Sequence, residues 1–197
     1  MLRKKLSKNN KPTDLILQAL AVFSGVVLAL VLTYVMRDGG FHMEYSISRY
    51  VGREWWSAVI FALGNFVIVW EVYRYTRTVW KEYGKVWLGL MVVMLVCYVG
   101  LSLCPLGLFD SDIETLGAVS VLHQIFARGM FITMAVIGFV KGMEIFKVRR
   151  RAAVVCFAYV ALAVGLGVMS FTTKVFWDLN FVIETAYIYL FMIMLML

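Results

Sequence analysis

Apolar residues in this chain come in long blocks, without the alternation of a half-buried strand or the three- and four-residue spacing of a surface helix. Windows of about 20 apolar residues, the length that crosses a bilayer core as a helix, predict six spans. These lie near residues 15–36, 55–73, 86–108, 115–140, 152–173 and 175–197, each bounded by charges or turn residues. The connection 37–54 holds Gly39 and Gly40 and then the run 45–51. That run is expected to form a short helix in the membrane interface, anchored by Tyr45, Tyr50, Trp55 and Trp56. The expected fold class is all-α: a polytopic membrane protein with six transmembrane helices in one bundle. A single domain covers 1–197, with a basic tail at 1–13.

Composition agrees with this pattern. The chain is 62% hydrophobic and 16% charged, more apolar surface than a soluble domain of 197 residues can hide. The first block is too long for a cleaved signal peptide and is read as a span. The odd set Cys97, Cys104 and Cys156 shows no CxxC spacing, so neither a disulfide framework nor a metal site is expected.

Charges sort by side. The tail and the segments 74–85 and 141–151 carry Arg3, Lys4, Lys5, Lys8, Lys11, Arg74, Arg77, Lys81, Lys85, Lys141, Lys147, Arg149, Arg150 and Arg151. The other connections carry Arg37, Arg49, Arg53 and Lys174, with most of the acids. The positive-inside rule places both termini in the cytoplasm, and an even number of spans agrees independently. The net charge of +7 is thus a juxtamembrane feature and gives no reason to expect a nucleic-acid partner. Arg149, Arg150 and Arg151 set orientation or, alternatively, form an anionic-lipid site.

Two charges lie deep inside apolar blocks, Arg128 in the fourth and Glu184 in the sixth. An isolated arginine there costs several kcal/mol unless it is answered, so a buried Arg128–Glu184 pair is expected. Helical rise puts His123 about 12 Å, Arg128 about 20 Å, Asn180 about 7 Å and Glu184 about 13 Å below the outer membrane face. Gln124 lies one turn above Arg128; Tyr187 continues the Asn180–Glu184 stripe, and Asn65, Tyr98 and Ser102 add polarity in the outer half. A polar cavity in the outer half is therefore expected, lined by Asn65, His123, Gln124, Arg128, Asn180 and Glu184. The alternative is an interhelical staple with amide glue. The small-residue spacings Gly138–Gly142 and Ala161–Gly165 predict close helix packing, within the bundle or in a dimer. Met192, Met194 and Met196 read as lipid-facing or packing filler.

Three features resemble a prokaryotic six-helix integral membrane family of uncharacterised function, distantly similar to the DRAM (damage-regulated autophagy modulator) group. One is the run from Ser46 to Tyr50 leading to Gly64 and Asn65. Another is Cys104, Pro105 and Gly107 followed by His123. The third is Glu184; where the family often has an arginine next, this chain has Thr185. The resemblance implies six helices and a membrane-lipid setting, and no reaction.

The leading functional expectation is a non-enzymatic protein of the cell membrane that binds a lipid or a partner membrane protein, with a homo-oligomer as one form of the latter. No cofactor or metal is expected. One alternative is an enzyme acting on a lipid head group, with His123 as base, Glu184 as its orienter and Arg128 as a phosphate clamp. The other is a small proton-coupled transporter in which His123 and Glu184 titrate.

Overall fold

A computed structural model describes residues 11–38, 40–43, 45, 47–52, 55–104, 118–172 and 179–197. Its helices are α1 (Pro12–Asp38), α2 (Ile47–Gly52), α3 (Trp55–Leu103), α4 (Ala118–Ile145), α5 (Arg150–Thr172) and α6 (Asn180–Met196). The far end of the expected third span, the first residues of the fourth, and Pro105, Gly107, Lys174 and Ser46 lie outside the described residues.

Pro12 opens α1, where its fixed φ suits a first turn, and the Asp14 carboxylate accepts from the Lys11 amide at 3.0 Å. Three threonine hydroxyls inside the apolar helices bond back to their own helix. Thr33, Thr76 and Thr133 donate to the carbonyls of Ala29, Val72 and Gly129.

α3 runs for 49 residues and reverses at Gly84, where φ is 81°. That left-handed conformation is open to glycine without the steric cost a Cβ brings. The two arms run antiparallel: Asn65 meets Ser102, and the rings of Tyr75 and Trp87 lie 6.1 Å apart nearer the turn. The first arm continues through 74–83, which the hydropathy pattern assigned to a connection. Tyr75, Thr76 and Val79 stay buried there, and no glycine or proline interrupts the helix before Gly84.

α1 packs on α3, α3 on α4 and α4 on α5, while α6 closes the bundle between α1 and α5. At Gly64 a Cβ would come 2.2 Å from Val26 Cγ2, so the absence of a side chain lets α1 and α3 approach. Gly138 and Gly142 do the same for α4 against Tyr159 and Phe157 of α5. Gly165, by contrast, meets nothing within 4 Å and faces outward with Ala161. Met192 and Met194 are buried core residues, and the cysteines are free thiols.

Two poles result. At one, the Gly84 turn, the turn before α5 and the last carbonyls of α6 come together. The Tyr75 hydroxyl donates to Leu195 O at 2.6 Å, and Lys141 Nζ donates to Met194 O at 3.0 Å and Leu195 O at 2.7 Å. At the other, the Phe181 amide donates to Met43 O at 3.0 Å, beside α2. Ser24 meets Tyr189 midway, so α1 and α6 run antiparallel and Pro12 shares the first pole with Leu197. Lys141 corrects the charge reading: it is fully buried as a helix cap and is not a solvated charge of the 141–151 segment.

Among the described residues, four helices are long and apolar enough to cross a membrane: Pro12–Met36, Trp55–Leu103, Val121–Ile145 and Arg150–Val168. Asn180–Met196 is a shorter apolar helix. Leu63, Phe66, Val96 and Ile132 are exposed around the bundle, an apolar exterior that suits a lipid solvent. This is the architecture of a helical membrane protein.

Candidate functional site

The polar residues singled out in the sequence gather toward the α2 pole, in separate small sets. Between the arms of α3, the Tyr98 hydroxyl donates to Asn65 Oδ1 at 2.6 Å and Asn65 Nδ2 donates to Ser102 Oγ at 2.7 Å. Ser102 Oγ donates in turn to the Tyr98 carbonyl at 2.8 Å. Asn65 and Tyr98 are buried, and this closed loop uses the amide to join the two arms.

His123, also buried, sits at the mouth of the same hairpin, with Nδ1 2.6 Å from the Cys104 carbonyl. A carbonyl only accepts, so the proton lies on Nδ1 and the basic lone pair on Nε2. Helical spacing and the end of α3 bring these groups together; no carboxylate orients the ring in this contact.

Glu184 points elsewhere. Its Oε2 accepts from the Ile47 amide at 3.0 Å, which ties the first residue of α2 to α6. Asn180 is half-buried in the first turn of α6, and Tyr187 donates to the Phe131 carbonyl at 2.9 Å. Gln124 and Arg128 lie on the exposed face of α4, where Arg128 Nη2 donates to Gln124 Oε1 at 3.3 Å.

These positions overturn the expected Arg128–Glu184 pair. Ion pairs among the described residues do not include Arg128 with Glu184, nor His123 with Glu184. Arg128 faces outward on α4 while Glu184 turns toward α2. Among the described residues the candidates fall into separate sets: Asn65 between the arms of α3, His123 on Cys104, Glu184 on Ile47, and Arg128 on Gln124. A groove of about 480 Å³ does open beside α6, but it is apolar, walled by Phe41, Phe181, Val182, Ala186, Tyr189 and Leu190, with Thr185 at its side. None of the six candidates borders it. Packing consumed their polarity: each buried one spends its hydrogen bonds holding helices together.

Lys141 escaped the sequence reading as a site residue. A signal was present, since it stands three residues after Gly138 and one before Gly142, on the close-packed face of α4. No group of three or more His, Cys, Asp or Glu among the described residues could hold a metal ion. In comparisons with known proteins, no family model, curated protein or solved structure matches this chain.

Proposed function

We propose that this chain is a non-enzymatic integral membrane protein of the cell membrane that binds a lipid head group through the outer half of α4. It crosses six times, the two arms of α3 counting separately, with both termini in the cytoplasm. Sharing of one pole by Pro12 and Leu197, and the basic residues clustered there, support that orientation. The likeness to the six-helix family belongs to the same proposal.

One observation carries the binding reading. Arg128 and Gln124 are exposed on a surface otherwise formed by Val121, Leu122, Ile125 and Ile132. The Arg128 guanidinium donates to Gln124, and a guanidinium carries five N–H donors, so it suits a lipid phosphate reached along its flexible side chain through a charge-assisted hydrogen bond. His123, oriented by a carbonyl, lacks the carboxylate partner that the enzymatic alternative required of Glu184.

Native mass spectrometry with lipid identification tests this on gently purified protein, comparing wild type with Arg128→Leu. A lipid retained by wild type and lost from the folded variant supports the site. Equal lipid occupancy in both sinks it. A polypeptide or a second copy of the chain in place of a lipid turns the surface into a protein contact. Cysteine labelling from either side, with single thiols at Trp55 and Phe146, reads the orientation separately.

A further inference from the structure

At the pole opposite α2, two turns of the bundle stand side by side. The turn into α5 presents Lys147, Arg150 and Arg151, and the end of the first arm of α3 with its turn presents Lys81 and Lys85, all exposed. Tyr83 links the Gly84 turn to α4: the Lys141 ammonium lies 5.5 Å from its ring. The acids here are few. Glu82 and Glu144 are exposed, and Glu71 is buried and bound to Arg74 at 3.0 Å.

Two further features say what such a surface meets. Several cations lie over aromatic rings: Lys81 over Trp80 at 5.5 Å, Arg77 over Tyr73 at 5.9 Å and Arg150 over Phe146 at 5.4 Å. Basic groups mixed with amphipathic rings are the composition of a head-group layer. The patch also runs directly into exposed aliphatic surface at Val86, Met143, Val148, Val154 and Val155. An occupant that is anionic at one end and apolar immediately beside it fits both halves at once.

We infer that this pole is a docking surface for anionic phospholipid, with the phosphate held among Lys81, Lys85, Lys147, Arg150 and Arg151 and the acyl chains along the neighbouring valines. The guanidinium forks of Arg150 and Arg151 suit a phosphodiester. This surface is separate from Arg128. It rests on the reading above only in that this pole lies at a head-group layer, which membrane fractionation and cysteine labelling test on their own.

The experiment offers purified full-length protein an equimolar mixture of phosphatidylglycerol and phosphatidylcholine and counts bound lipids by native mass spectrometry. Wild type is expected to retain phosphatidylglycerol preferentially. The variant Lys147→Gln/Arg150→Gln/Arg151→Gln should lose that preference by about fivefold per cation removed, on the order of a hundredfold in all. Rising sodium chloride should erode the wild-type preference progressively, and this arm stands even where the triple variant does not fold. Equal retention of both lipids by wild type, or an unchanged preference in the folded variant, overturns the inference. So does displacement of the lipid by millimolar inorganic phosphate, which would make the surface a site for the free anion.

Discussion

The carboxylate of Glu184 accepts a hydrogen bond at 3.0 Å from the backbone amide of Ile47, 137 residues away in sequence. The acid deep in the last apolar block is therefore the tether of a six-residue helix. With Phe181 donating to the Met43 carbonyl, it makes a two-point attachment of the α1–α2 connection to α6. Around this attachment the rings of Tyr34, Phe41, Tyr50 and Phe181 pack edge-to-face or stacked, with the Tyr34 and Tyr50 centroids 4.9 Å apart.

Removing the carboxylate should loosen α2. A hydrogen bond to a charged group is worth about 1.5–3 kcal/mol, so Glu184→Ala is expected to lower stability by that much in detergent. Glu184→Gln keeps an acceptor in place and should cost less. Thermal unfolding measures the loss, and limited proteolysis at 40–52 locates it. An alanine variant as stable and as protected as wild type would show that the tether contributes nothing.

At the other pole, Lys141 and Tyr75 donate to the same carbonyl, Leu195 O, at 2.7 and 2.6 Å. The end of a helix leaves its last carbonyls without intrahelical partners, and here buried side chains supply them. Lys141→Met and Tyr75→Phe should each cost about 1–3 kcal/mol. Either single variant leaves Leu195 O with one donor, whereas the double leaves it bare. Hence the double should lose at least about 0.5 kcal/mol more than the sum. Hydrogen exchange of the amides 191–195 reads the fraying of α6, and strict additivity would contradict a shared acceptor.

Much of this bundle was legible in the sequence because membrane helices announce themselves by length and apolar content alone. The short helix at 47–52 and the close packing at Gly138 and Gly142 follow from the sequence pattern, whereas Tyr50, expected as an interface anchor, is buried against Tyr34. Pairings between helices were not legible. Depth follows from residue counting, but azimuth around each helix depends on which neighbour it meets. Arg128 bonds Gln124 on its own helix while Glu184 bonds the amide of Ile47, so the two point to different neighbours. Lys141 was misread for a related cause: a lysine at the edge of an apolar block looks like a topology charge until the carbonyls of α6 are seen above it.

Gly64 and Val26 define the tightest crossing between α1 and α3, with a Cβ at Gly64 placed 2.2 Å from Val26 Cγ2. Gly64→Ala therefore forces the helices apart and is expected to cost about 1–3 kcal/mol as overpacking. Val26→Ala removes the atom in conflict, so the double variant should recover part of that loss. Thermal unfolding of the three proteins decides it. Failure of Val26→Ala to rescue would place the strain elsewhere in the contact.

Asn65 and Tyr98 give the sharpest test of whether the polarity toward the α2 pole is structural. Asn65→Ala removes the acceptor of a buried hydroxyl and the donor of Ser102 at once. Two magnitudes compete here. An unsatisfied buried group in a water-soluble protein costs about 1–3 kcal/mol. Hydrogen bonds between helices in a bilayer average about 0.6 and reach about 1.7 kcal/mol, because the chain unfolded within the membrane finds other partners. The second range applies to a hairpin inside the bundle, so the Asn65–Tyr98 coupling should fall between about 0.6 and 1.7 kcal/mol. Tyr98→Phe is expected to be costly in wild type and nearly silent once Asn65 is alanine, since its hydroxyl then has nothing to reach. A double-mutant cycle read by unfolding in bicelles measures this directly. If Tyr98→Phe costs the same in both backgrounds, the hydroxyl does not act through Asn65, and the amide becomes available for a ligand.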